Sequence, residues 1–536
     1  MDESPVTAAS GVAEAPDSLQ LFAERILSIG IPRKLDAVAV FVIPALVYAM
    51  SMPWAPDGWD YGEAQVVPYV LGIMHPTGFP AFVLLGWLFT HLLPFGPVAY
   101  RMNLLCGLAM AGSAALARQI GLTLGAGRLS AFAGALIFAF GDITWTKGTH
   151  ADVHAVALAF ALLSVLASAR YIASGTARWL WCGAIALGLA LATHPISLGA
   201  APALLVALVV AGKQSLRRAS IGAALAAAPL LLYLYLPIRS IVVAAYGLDP
   251  VGRWPFNGAG TIIWDFNRPR YFSGLMEELF ASNYGSGEAG VLGSFLRFWE
   301  YPHYAVAWAA QAAPELTVFT IVIAGAGAIA VLTAPAPQRL AAISVLAATF
   351  SGVCFAVAYA PREGGDWPRY LLPSFALSCA IAAAATRLVA KWKAADLVAG
   401  VAMLAIAAHL YFQNDSRYVQ RYGAGVQSDL DAIRSNVPDG AVVISSWLDA
   451  TGLAYGAYVD HSLGSRVIMS WSGDLLPSYV GWTKDYRIFV YSNFELQPDI
   501  DQLRKTVNLV LKTSDPTDPS HKLYELMPGP PASPHA

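Results

Sequence analysis

Eleven apolar runs recur along this chain, at 35–53, 101–117, 129–141, 153–172, 178–193, 195–211, 219–238, 316–334, 340–359, 370–389 and 396–412, and they leave few architectures open. A helix needs about 20 apolar residues to cross the hydrocarbon core of a bilayer, where only helices and closed barrels satisfy their own backbone. Hydrophobic residues make up 57% of the chain and charged residues 13%, about half the roughly 25% charge of a soluble domain. The expectation is an α-helical polytopic membrane protein with about eleven spans. The runs at 129–141 and 178–193 are short, so their ends should stop inside protein. His194-Pro195 separates two runs and reads as a tight hairpin, because proline ends the helix before it.

A twelfth stretch, FPAFVLLGWLFTHLLP at 79–94, could span or lie flat. Lys and Arg collect in cytoplasmic loops. With this stretch at the interface, fourteen basic residues fall inside and five fall in the short outer loops; making it a span reverses the bias. It is therefore read as an interfacial helix, with the N-terminus inside. The segment 1–34 is then cytoplasmic, with an amphipathic helix, and 35–412 is the transmembrane domain. Its first outer loop is 54–100, and a large outer loop covers 240–315. The latter exceeds an ordinary connection, carries Arg268, Arg270 and Tyr271, and reads as an ordered lid.

From about residue 413 the composition turns polar. LDAIRSNVPDGAVVISSW reads as amphipathic helix, turn and buried strand, and YRIFVYS and VNLVLKT as further strands. A small outer-face α/β domain is expected over 413–527, ending in a Pro-rich, disordered tail at 528–536. The four cysteines lie in apolar stretches without zinc or redox spacing and read as buried thiols. Nothing in the net charge of -2 argues for nucleic acid.

Ionisable groups beside a bilayer are costly and usually functional. Asp60 and Glu63, three apart in W-D-Y-G-E, share one face of a helix. Adjacent carboxylates push at least one pKa upward, which suits a general base near neutrality; the competing role is a helix cap. His75 stands twelve residues past Glu63, about 18 Å along unbroken helix, so it meets the pair only if H-P-T-G-F-P bends the chain. Otherwise it is an imidazole packed in an interfacial turn. A second possible cluster holds Lys147, His150, Asp152 and His154. Asp152 heads a helix, where it also suits a cap. The His150/His154 spacing superficially resembles a metal pair but lacks the glutamate of a protease helix motif, so no metal is expected. His194 and Arg239, at outer ends of spans, are candidates to hold an anion, arginine through its planar fork. Arg239 also fits a snorkelling role.

The run W-D-Y-G-E, then H-P-T-G-F-P, then L-P-F-G-P-V-A-Y-R-M-N-L-L-C-G-L closely resembles a family of multispan protein O-mannosyltransferase-like proteins. Its animal member glycosylates IPT domains of plexin-type receptors, and bacterial relatives are many. The family pattern reads G-D-S-G-E and H-P-P-G-Y-P at the same separation, matched at Asp60, Gly62, Glu63, His75, Pro76, Gly78 and Pro80. Further likeness lies at Trp145, at A-D-V-H, at His194 and at Y-L-P-I-R-S, covering roughly 35–275. Departures fall at Tyr61, at Thr77 and at R-W-P-F-N-G.

The resemblance implies a GT-C glycosyltransferase using a polyprenyl-phosphate sugar, often mannose, and no nucleotide or other cofactor. Asp60 and Glu63 would then be catalytic, with His75, His194, Arg239 and Arg270 at the donor phosphate. A protein hydroxyl is the favoured acceptor and a lipid-linked or cell-wall glycan the alternative; a transporter or lipid flippase is the rival of another class. The Ala- and Gly-rich composition points to a bacterial inner membrane, where the charge bias sets the site toward the periplasm or exterior; in a eukaryote the same bias would set it in the ER membrane facing the lumen.

Overall fold

The computed structural model describes residues 33–282, 304–392, 394–421, 426–493, 495–505, 507–514 and 519–529. The expected amphipathic helix before residue 33, part of the large outer loop and the end of the tail lie outside the described residues. All eleven apolar runs are helical. Among the described residues seven helices are long and apolar enough to cross a membrane, or up to nine if each of two bent pairs is one span. Leu35–Ser51 and Ala177–Leu191 are shorter apolar helices and coincide with two of the expected spans. So is Pro80–Leu92, the stretch read as interfacial. The chain is an integral, multi-pass membrane protein.

The centre of the bundle is built from Val98–Thr123, Val153–Ser174 and Trp367–Val389. Small residues face inward there (Ala114, Ala155, Ala169, Ala376 and Ala380 are buried), which lets helices approach closely without a hydrophobic driving force between them. At Gly134 a Cβ would stand 2.8 Å from the Cys379 carbonyl oxygen, so that helix crossing admits no side chain. By contrast Leu216–Tyr246 sits at the periphery and turns Leu231, Leu234, Ile238 and Ile241 outward.

The short run near 129 stops inside protein, as expected. Arg128–Ala139 and Asp142–Thr149 meet at a 69° bend. The first N–H groups of the second helix lack intrahelical partners, and Glu315 supplies them. Its carboxylate accepts from the Ile143 N–H at 2.8 Å, the Thr144 N–H at 3.1 Å and the Thr144 hydroxyl at 2.8 Å. Glu315 thus satisfies two backbone N–H groups at the bend, which carries Lys147 into the interior.

Beyond the last span a five-stranded mixed sheet runs in the order β2-β1-β3-β5-β4, with β1 Val442–Ser445, β2 Val467–Ser470, β3 Ile488–Ser492, β4 Asn508–Ser514 and β5 Lys522–Met527. β1 lies parallel to β2 and β3, and β5 is antiparallel to β3 and β4. β1 and β3 are wholly buried, consistent with covered parallel strands. Helix Trp447–Tyr458, which follows β1, leaves the sheet to rest on helix Trp59–Val70. There the Thr451 hydroxyl donates to the Trp59 carbonyl at 3.0 Å. A Cβ on Gly62 would come within 3.2 Å of the Gly452 nitrogen. Gly62 thus permits the close approach of the two helices.

Candidate active site

The N-cap position of helix Trp59–Val70 is Gly58, which has no side chain to make a cap bond. Asp60 is therefore not the cap; it stands in the first turn, with Glu63 one turn further along. At the other end Leu71 adopts a left-handed conformation at φ 54° and stops the helix. Arg239 spends its guanidinium there, donating to the carbonyls of Leu71 and, at 3.1 Å, Val70. The Tyr235 hydroxyl takes the Gly72 carbonyl at 2.7 Å. Released from the helix, the chain doubles back and brings His75 to Glu63. The fully buried Glu63 carboxylate accepts the His75 backbone N–H at 2.8 Å and pairs with the ring Nδ1. A left-handed Gly78 at φ 75° completes the turn.

Asp60 meets a cation from far along the chain. The Arg369 guanidinium donates to its carboxylate at 2.7 Å. Two adjacent carboxylates were expected to raise a pKa. At Asp60 burial does push upward, but Arg369 and then His75 outweigh it and hold the carboxyl below its ordinary value. For His75 burial works against the charged ring, yet Glu63 and Asp60 lift its pKa to about 9, so the imidazolium is the neutral-pH form. The Asp60 side chain keeps 31% exposure and that of His75 20%, so both stay within reach of solvent.

The second cluster joins the first. Tyr61 receives a hydrogen bond from Lys147 Nζ at 2.8 Å, Lys147 pairs with Asp152 at 3.0 Å, and His154 Nδ1 donates to Asp152 at 2.6 Å. Asp152 also caps its helix, accepting the His154 N–H at 2.8 Å. His150 packs its ring on Tyr61, centroids 4.9 Å apart. His194 caps the turn Pro195–Ala200 by accepting the Ile196 N–H at 3.1 Å, and its ring lies 4.4 Å from that of His154 and 5.3 Å from Phe79. Tyr370, under the Arg369 guanidinium, closes the group 5.0 Å from His154. His154, Ser197 and Arg369 line a small cavity beneath it. The starts of three spans thus converge under one acidic helix.

Eight of the ten residues singled out in the sequence share this site. Arg239 clamps the far end of the acidic helix, and Arg270 is paired with Asp265 and donates to Ser240 at 3.2 Å. Arg369 and Tyr370 escaped the sequence reading. The available signal was a basic residue beginning an apolar run on the side otherwise poor in Lys and Arg.

Across 91% of its length the chain superposes on ArnT from Cupriavidus metallidurans, solved bound to undecaprenyl phosphate, with a TM-score of 0.52, 13% identity and 97% of that chain covered. The oligosaccharyltransferase of Archaeoglobus fulgidus matches 92% of the chain and 74% of its own, with a TM-score of 0.51 and 12% identity. The architecture is that of a GT-C membrane protein. Within it, residues 60–217 match the family model described as the N-terminal domain of protein O-mannosyl-transferase TMEM260. The mouse protein of that name is 36% identical over 135 residues, 25% of this chain and 19% of its own. The Dictyostelium discoideum protein is 32% identical over 78 residues, 15% of this chain and 10% of its own. The match thus spans about a fifth or less of these relatives.

Proposed function

We propose that this protein is a glycosyltransferase that moves a hexose, mannose in the first instance, from a polyprenyl-phosphate donor to an acceptor hydroxyl. A protein serine or threonine is the favoured acceptor, and the site faces the non-cytoplasmic side. The observation that carries the proposal is the Asp60–Arg369 ion pair, set beside the Glu63–His75 pair and only partly buried. Such a pair offers a carboxylate for a proton and a guanidinium for a phosphate. Support comes from the likeness in residues 60–217 to proteins named O-mannosyltransferases and from a fold neighbour solved with a polyprenyl phosphate.

Asp60 takes the proton of the acceptor hydroxyl as its oxygen attacks the anomeric carbon. The bond from that carbon to the phosphate oxygen breaks, and its electron pair leaves on the phosphate. Arg369 and the cationic His75, with His194 and His154 behind them, stabilise that growing negative charge. In the resting state Arg369 is held by Asp60. A donor phosphate drawing the guanidinium toward itself frees the carboxylate, which couples donor binding to activation of the base. Glu63 keeps His75 charged and in place. Lys147 and Asp152 fix Tyr61 and His154 at the wall. The proposal assigns no role to a metal.

Asp60→Asn tests it in the purified, membrane-reconstituted protein supplied with mannosyl-phosphoryl-undecaprenol. General-base catalysis is worth about 10²–10⁴-fold, so turnover should fall at least about 100-fold while the protein still folds. Turnover near the wild-type rate would remove Asp60 from the mechanism.

A further inference from the structure

We propose that Trp447, in the C-terminal α/β unit, is an acceptor-binding residue of this site, its indole N–H taking an oxygen of the acceptor. The proposal rests on the glycosyl-transfer reading above and adds which part of the chain recognises the acceptor.

Three observations carry it. The Trp447 ring stands edge-on to His75, centroids 5.6 Å apart and planes at 88°, so a residue of the soluble unit forms part of the wall around a membrane-domain site residue. Its indole Nε1 is buried and has no hydrogen-bond partner among the described residues. A buried tryptophan N–H ordinarily finds one, and leaving it unmet is unfavourable; next to the partly exposed His75, an arriving oxygen would supply the missing partner. Finally, Trp447 opens the helix whose next turn is fastened to the acidic helix through the Thr451–Trp59 hydrogen bond. That bond lands one residue before Asp60, so a group held at Trp447 is delivered beside the carboxylate assigned to its hydroxyl.

On that reading the donor phosphate is held at Arg369, which a membrane span supplies, whereas Trp447 comes from the unit beyond the bundle. This placement favours the acceptor over the donor as the ligand of the indole.

The test measures partition. Full-length protein in vesicles is given radiolabelled mannosyl-phosphoryl-undecaprenol and protein extract from cells lacking the gene. Label is then counted as transferred product, protein-bound or glycolipid, and as free mannose from hydrolysis by water. The ratio of transfer to hydrolysis is independent of how much enzyme has folded. Trp447→Phe, which keeps a ring and loses the N–H, should lower that ratio about fivefold or more. Trp447→Ala should lower it further. An unchanged ratio in both variants, whether or not total turnover falls, overturns the assignment and makes Trp447 a packing or donor-side residue. A wild-type protein that leaves the donor intact sinks the glycosyl-transfer reading instead.

Discussion

Replacing Arg369 by methionine removes a charge while keeping most of the stem, and its consequences follow from two contacts. The guanidinium is nearly enclosed, with 9% of its side chain exposed, and it donates to Asp60 at 2.7 Å. Two unit charges about 4 Å apart attract by about 4 kcal/mol at an effective dielectric of 20. Asp60 is partly open to water, so screening leaves only a fraction of this. Without that attraction, burial is left as the leading influence on Asp60 and drives its carboxyl upward. The same substitution deletes the donor's phosphate partner, and loss of one preorganised donor to developing charge costs about 10²–10³-fold in kcat. The sign on pH follows. In the wild type Asp60 is ionised throughout the neutral range, and its stabilising pair is lost only as pH falls through its depressed pKa. In Arg369→Met the acidic limb of the rate profile must move toward neutrality. Arg369→Lys, which keeps charge but not the fork, should fall between. The assay is donor turnover in proteoliposomes between pH 4.5 and 8.5. A methionine variant within about threefold of wild type, or one slowed with an unmoved acidic limb, would refute the coupling of Arg369 to Asp60.

Three further outcomes are expected. Because Glu63 lifts His75 to about 9 from 6.5, the pair contributes its full stability below pH 6.5 and loses it as pH rises through about 9. Melting of the wild type should decline across that window, and His75→Gln should flatten the decline; parallel curves would contradict the pairing. Glu315→Ala strands two backbone N–H groups of helix Asp142–Thr149, at about 1–3 kcal/mol each. Thermal unfolding should shift accordingly and turnover should drop as Lys147 loses its seat, whereas Glu315→Gln should retain more of both. Gly62→Ala would place a methyl 2.3 Å from the Asp57 carbonyl oxygen and 3.2 Å from the Gly452 nitrogen. Limited proteolysis should then release the C-terminal unit faster than in wild type, and an unchanged cleavage rate would mean the two helices do not need this approach.

Local periodicity carried most of what was legible in advance. Each apolar run is a helix, the stretch at 79–94 is a separate short one, and β1, β3 and β4 follow alternation and turn residues. The pairing of Glu63 with His75 was readable because only twelve residues separate them and H-P-T-G-F-P demands a bend. Arg369 was not, since 309 residues lie between it and Asp60 and no local pattern distinguishes a site arginine from one anchored at an interface. Arg239 and Arg270 illustrate the same difficulty in reverse: their positions suited an anion, but a helix end and Asp265 occupy them. β2 and β5 were overlooked because RVIMS and KLYELM are short and weakly alternating, and pairing within the sheet makes them strands. Glu315 as a helix cap depends on a bend that becomes visible only in three dimensions.

The hydrogen bond between Thr451 and Trp59 joins positions 392 residues apart. A ribosome making this protein delivers the carboxylate-bearing segment early and its companion helix near the close of synthesis. Until then the nascent chain sits in the bilayer without the helix that flanks its site. Premature termination anywhere before the sheet would leave an inserted bundle with no platform for an acceptor, and water would be the remaining partner for any sugar it bound.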